Sequence, residues 1–202
     1  MNMLEITPDT NISRKLILRY SKSLMKLLPQ FITKISIEKN DIIVYTKAKN
    51  VKSIILFLKN HSHAQYKILT DLTAVDYISK KNRFQIVYNL LSLTFNTRII
   101  VKLNVNELTP VDSIVSIHSS AGWYEREVWD LFGVFFLNHP DLRRILTDYG
   151  FEGHPLKKDF PLSGFTSLCY NEEYKRVVTE SVEFSQESKN MSFSNPWNKF
   201  IH

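Results

Sequence analysis

Residues 123–164 read WYEREVWDLFGVFFLNHPDLRRILTDYGFEGHPLKKDFPLSG. The stretch holds four of the chain's five glycines, so turns and loops concentrate there. It opens with helical spacing: Tyr124, Val128 and Leu131 recur at intervals of four and three on one face. Ser119 and Ser120 stand where N-caps belong, and Gly133 stands where a helix ends in the left-handed conformation. Glu125, Arg126, Glu127 and Asp130 crowd one turn of this helix. Arg126 and Asp130 are spaced to pair along its surface, which leaves two acids over. With Trp123 and Trp129 beside them, those acids are expected to meet arginines on a partner.

Beyond the helix, residues 134–137 form an apolar run suited to one short strand. Asn138, His139, Pro140 and Asp141 then read as the start of a second, short helix closed by Gly150. It would bury Leu142, Ile145 and Leu146 and turn Arg143 and Arg144 outward. Residues 151–164 read as an ordered loop that exposes Lys157, Lys158 and Asp159 between the anchors Leu156, Phe160 and Leu162. His139 and His154 both precede proline and read as hydrogen-bonding residues that fix loops.

Upstream, residues 11–28 have the pattern of a basic amphipathic helix. Such a segment has the composition of a transit peptide. Glu5 and Asp9 before it, and strands directly after it, favour a structural helix. Residues 31–38 alternate as a strand, Lys39, Asn40 and Asp41 turn the chain, and residues 42–46 return as a hairpin. Asn50 is placed to cap a helix that carries Val51, Ile54, Ile55 and Leu58 inward. Residues 66–77, 83–94 and 97–105 are β-branched and aromatic runs, separated by turn residues at 79–82 and Asn96. Residues 110–117 are expected to form a short helix. The pattern predicts an α+β domain over residues 1–165, a mainly antiparallel, mixed sheet packed by helices. An extended C-terminal tail over 166–202 follows it. The tail's isolated hydrophobes, Phe193, Trp197 and Phe200, suit anchoring on a partner.

The motif Glu125-Arg126-Glu127, then Asp130-Leu131-Phe132, His139 and Arg143, resembles the signature of the thirty-kilodalton subunit of respiratory complex I. Gly153-His154-Pro155-Leu156 and Lys158-Asp159-Phe160-Pro161 continue the likeness, which is nearest to mitochondrially encoded members. Lys157 departs from the arginine usual in the family, which keeps the charge and loses the planar fork. The likeness runs on more thinly through Lys175-Arg176-Val177-Val178, Gln186-Glu187 and Pro196-Trp197, while Ser181 and residues 188–190 depart from it.

The resemblance implies a core subunit of the peripheral, matrix-side arm of NADH:ubiquinone oxidoreductase, a proton-translocating enzyme of the mitochondrial inner membrane. It implies no redox cofactor in this chain, with FMN, iron–sulfur clusters, NADH and ubiquinone bound by other subunits. The implied partners are other peripheral-arm subunits, chiefly the forty-nine-kilodalton quinone-site subunit. The interface expected from it comprises Glu125, Arg126, Glu127, Asp130, His139, Arg143, Arg144, His154, Lys157, Lys158, Asp159 and Trp197.

Composition narrows the alternatives. No apolar run approaches the ~18 residues of a membrane span. A single cysteine, Cys169, excludes an intrachain disulfide framework and a cysteine-ligated cluster held by this chain alone. The net charge of +6 is uneven: residues 1–122 carry 17 bases against 8 acids. That leaves a free-standing basic adaptor for nucleic acid as the rival reading, although no aromatic–basic platform accompanies the charge. His61 and His63 near Asp71 and Asp76 read as a polar helix end rather than a metal site. No nucleophile–base pair or glycine-rich phosphate loop is present, so the residues point to a scaffold.

Overall fold

A computed structural model describes residues 3–6, 12–39 and 41–186. Asp9, Asn40 and the tail hydrophobes Phe193, Trp197 and Phe200, all given readings above, lie outside the described residues. The chain divides into two compact units, Met1–Phe160 and Pro161–His202.

In the first unit, six strands form one sheet. They are β1 (Met3–Ile6), β2 (Ile32–Glu38), β3 (Asp41–Thr46), β4 (Ile68–Asp76), β5 (Phe84–Ser92) and β6 (Thr97–Val105), in the order β1-β2-β3-β6-β5-β4. β2–β3, β4–β5 and β5–β6 are antiparallel, while β1–β2 and β3–β6 are parallel. The sheet is thus mixed and mainly antiparallel, as the sequence pattern predicts. Helix α1 (Ile12–Leu27) is the crossover between parallel β1 and β2, and α2 (Val51–Asn60) lies on the longer path from β3 to β6.

The alternation in β5 shows how the sheet is made. Phe84, Ile86, Tyr88, Leu90 and Ser92 are buried, and every residue between them is half-buried. Register carries this face across the sheet, through Leu72↔Tyr88, Tyr88↔Val101 and Val44↔Val101. Leu24 of α1, the predicted set Val51, Ile54, Ile55 and Leu58 of α2, and Val128 and Phe132 of a third helix join the same continuous core. Each fully buried side chain of this size contributes about 1.5–3 kcal/mol. α1 is only partly submerged, with Leu16 and Leu27 of its predicted apolar positions exposed.

Helix α3 (Ala121–Phe132) falls where the spacing of residues 124–131 predicts, and Gly133 ends it at φ 79°. Two capping expectations fail: Asn50 and Ser120 occupy the N-cap positions of α2 and α3, but neither side chain bonds a helix amide. The helix expected at residues 110–117 is replaced by β7 (Val111–Asp112), parallel to β8 (Phe136–Leu137). The reason lies in its amides. Val111 N–H donates to Phe135 O, Ser113 N–H to Leu137 O, and Ile114 N–H to the Glu125 carboxylate. No donor is left for a helical ladder at those residues. The helix expected between Asp141 and Gly150 is also absent, for a related reason given below.

In the second unit, β9 (Thr166–Asn171) and β10 (Arg176–Ser181) pair as an antiparallel hairpin. Lys175 turns it at φ 47°.

Candidate functional site

α3 presents two of its three acids inward. Glu125 and Asp130 are both 0% exposed, Arg126 and Glu127 are half-buried, and Trp123 is 67% exposed. The surface pair expected between Arg126 and Asp130 does not form. Asp130 binds Arg144 instead, at 2.9 Å, and Arg126 donates to the carbonyls of Arg143 at 3.0 Å and Arg144 at 3.3 Å. The guanidinium of Arg126 also lies 5.1 Å from the Trp123 ring centre.

The Asp130 carboxylate is an acceptor for five donors. Oδ1 takes the Thr147 hydroxyl at 2.6 Å and Arg144 Nη1 at 2.9 Å. Oδ2 takes the amides of Leu146 at 2.9 Å, Thr147 at 3.0 Å and Ile145 at 3.3 Å. Burial alone would raise its pKa; the Thr147 hydroxyl and the three amides outweigh that and lower it to about 2. This is why residues 141–149 are not helical. A helix would send the amides of residues 145–147 to the carbonyls four residues earlier. Here one side chain takes those amides, and Arg126 takes two of the carbonyls. Arg144 consequently turns inward, against expectation, and also donates to Gly153 O at 3.0 Å. Arg143 is exposed beside Asp141, and Leu146 is exposed as well.

Glu125 sits in a different setting. Its carboxylate accepts the Ser113 hydroxyl at 2.6 Å and the Ile114 amide at 2.8 Å. His139 Nε2 is 3.9 Å away and closer, at 3.2 Å, to Gly122 O. His139 Nδ1 accepts the Asp141 amide, so in this tautomer the ring proton sits on Nε2. Burial dominates, and the two neutral donors only partly offset it, so the Glu125 pKa is pushed up to about 7.

The loop from 150 to 160 closes over the end of α3. His154 Nδ1 bonds Asp130 O at 2.9 Å, and Leu156 N–H donates to Leu131 O at 3.0 Å. Both prolyl-preceding histidines therefore fix loops. The loop's far end is held by a hub that sequence reading missed, Arg83. It grips Asp76 through Nε at 2.7 Å and Nη2 at 2.8 Å, Asp159 at 2.6 Å and Glu107 at 2.7 Å. The Lys158 amide also donates to Asp76, while Lys157 reaches Glu107 at 3.5 Å. Arg83 draws Asp76 and Asp159 below the usual carboxylate range, burial opposing it in each case. The sole local sign of this hub was that Asp76 and Arg83 flank one hairpin turn.

The structure therefore gathers Glu125, Arg126, Asp130, His139, Arg144 and His154 on and around α3. It places Lys157 and Asp159 at the Arg83 hub and leaves Arg143 and Lys158 at the surface. Over this framework Trp123, Phe135, Leu146, Tyr149 and Leu156 stay exposed, Tyr149 completely. Among the described residues no group of three or more His, Cys, Asp or Glu is placed to hold a metal ion, and no helix is long and apolar enough to cross a membrane.

Known proteins match this arrangement. The family described as respiratory-chain NADH dehydrogenase, 30 Kd subunit, matches residues 44–166, which span β3 through the closing loop. NADH-ubiquinone oxidoreductase subunit 9 of Reclinomonas americana is 55% identical over 175 residues, 87% of this chain and 86% of that protein. NADH dehydrogenase (ubiquinone) iron-sulfur protein 3 of Marchantia polymorpha is 52% identical over 178 residues, 88% of this chain and 91% of that one. A chain of the membrane-bound sulfane sulfur reductase, an archaeal respiratory membrane complex, shares the fold. Its TM-score is 0.61 at 22% identity, covering 72% of this chain and 85% of that chain. Residue motif, fold and relatives agree: this chain belongs to the family of the thirty-kilodalton subunit of respiratory-chain NADH dehydrogenase.

Proposed function

We infer that this chain is a structural core subunit of the peripheral, matrix-side arm of mitochondrial NADH:ubiquinone oxidoreductase. It docks the forty-nine-kilodalton quinone-site subunit and helps join the quinone-reducing part of the enzyme to the NADH-oxidising part. FMN and the iron–sulfur clusters reside in neighbouring subunits, and this chain fixes their placement without binding a redox group itself. The hairpin β9–β10 and the residues after it act as a second arm that holds a partner.

One observation carries the reading. Two acids of the signature, which on an enzyme would face a substrate, are consumed internally: Asp130 locks residues 144–147 onto α3, and Glu125 ties α3 to Ser113 and Ile114. What the locked surface offers outward is aromatic and aliphatic: Trp123, Phe135, Leu146, Tyr149 and Leu156. Rigid apolar anchors above a satisfied ionic framework suit recognition of another protein.

The test is purification of the chain from its native membrane at natural abundance. Co-migration with flavin and iron–sulfur absorbance in one large assembly, including the quinone-site subunit, is the expected result. A chain that runs alone, or with RNA in a salt-sensitive complex, would overturn the assignment.

A further inference from the structure

A second surface lies apart from the signature. α1 and the β5–β6 turn enclose a cleft of about 560 Å³, lined among others by Leu16, Ile17, Tyr20, Ile42, Phe95 and Arg98. Its mouth is apolar and open: Leu16 is 61% and Phe95 45% exposed. The surrounding charge is of one sign along the helix. α1 contains five bases and no acid, and Lys15, Arg19, Lys22 and Lys26 are exposed. Arg98 adds a further exposed base at the cleft, where Asp41 is the single acid among the described lining residues.

We propose that this cleft is a docking site for an acidic, amphipathic segment of another polypeptide, which seats one large apolar side chain between Leu16 and Phe95. Charge complementarity names the partner: Lys15, Arg19 and Arg98 meet carboxylates, while the cleft accepts the anchor. The volume falls within the range of concave binding sites. A membrane surface fits less well. A helix lying in a bilayer interface presents a broad apolar face outward. Here Ile17, Tyr20 and Leu24 turn into the core, and among the described side chains of α1 Leu16 and Leu27 are the large apolar ones that are exposed. The proposal rests on the functional reading above only in drawing the partner from the same assembly.

The test uses the full chain carrying Cys169→Ser, so that Leu16→Cys supplies the one thiol. Maleimide labelling is compared for the free chain and for the assembled complex. The expected result is ready labelling of the free chain and labelling about tenfold slower in the complex, since interface cores exclude solvent. Arg19→Glu combined with Arg98→Glu should then restore labelling or lower the yield of complex. Equal labelling in both states overturns the proposal, as does a charge-reversed variant with normal yield and unchanged protection. Protection of the free chain by anionic phospholipid vesicles would overturn it in favour of a membrane. A normal complex with a freely labelled Leu16→Cys removes this proposal alone. A chain that never enters the complex removes the assignment of function, and this partner with it.

Discussion

Two carboxylates five residues apart on α3 both lack exposed surface and are chemically opposite. Asp130 collects an arginine, a hydroxyl and three amides and stays ionised down to about pH 2. Glu125 collects one hydroxyl and one amide and holds its proton to about pH 7. The balance between depth of burial and donors therefore decides the charge: Glu125 lies deeper with two donors and burial prevails, while Asp130 lies shallower with five and the donors prevail. The Asp130 side of the helix is a clamp for an otherwise irregular loop. The Glu125 side ties the helix to β7 through neutral contacts.

The sharpest way to break this contrast is Asp130→Ala. It orphans three amides and strands Arg144, and should cost about 3–5 kcal/mol in urea unfolding of the full chain at pH 7. A loss below ~1 kcal/mol would mean that the clamp is not holding the loop.

The pH dependence tests the other half. Glu125 has a folded pKa above its unfolded value of 4.5, so its contribution is complete below pH 4.5 and is lost as pH rises through 7. The loss is on the order of 3 kcal/mol. Asp130 has the opposite sign: its contribution is present above 3.8 and is lost as pH falls toward 2. Unfolding titrations of the chain and of Glu125→Gln between pH 4.5 and 7.5 should therefore diverge, with the variant flatter. Parallel curves would show that Glu125 is not the titrating group.

Gly133→Ala probes the closing loop where it crosses the helix end. A Cβ there would lie 2.7 Å from His154 Cδ2, on a residue at φ +79°. A loss of about 2 kcal/mol is expected, combining left-handed strain with displacement of His154. The smallest effect belongs to Arg143→Ala, whose exposed pair with Asp141 should be worth less than ~0.5 kcal/mol. Any assembly defect of that variant on a native gel would then report a lost partner contact, not a weakened fold.

Much of this was legible in the chain. β2 follows from two-residue alternation, β4, β5 and β6 from their β-branched and aromatic runs, α2 from its buried stripe, and α3 from its spacing and Gly133. The family likeness was legible because its motif is dense and unbroken. What escaped has a common cause. The loop at 141–147 looked helical because its own residues permit a helix, and the deciding acceptor, Asp130, is 14 to 17 residues away. The strand at Val111–Asp112 looked helical because its partner, β8, lies beyond an intervening helix. Arg83 was passed over because Asp159, its partner, stands 76 residues on. Side chains that bond distant groups leave no period in sequence. Asn50 and Ser120 show the converse error, since residues of capping type occupied capping positions without making the bond.

The reach from Arg83 to Asp159, and from Asp76 to the Lys158 amide 82 residues on, also sets an order of events. A ribosome delivers the sheet and α3 well before residues 154–160. Until that last segment emerges, Asp76 and Arg83 lack part of their network and the end of α3 lacks His154. The closing loop is thus the latch of the first unit, and a chain interrupted just short of it would carry every strand of the sheet yet remain unsealed.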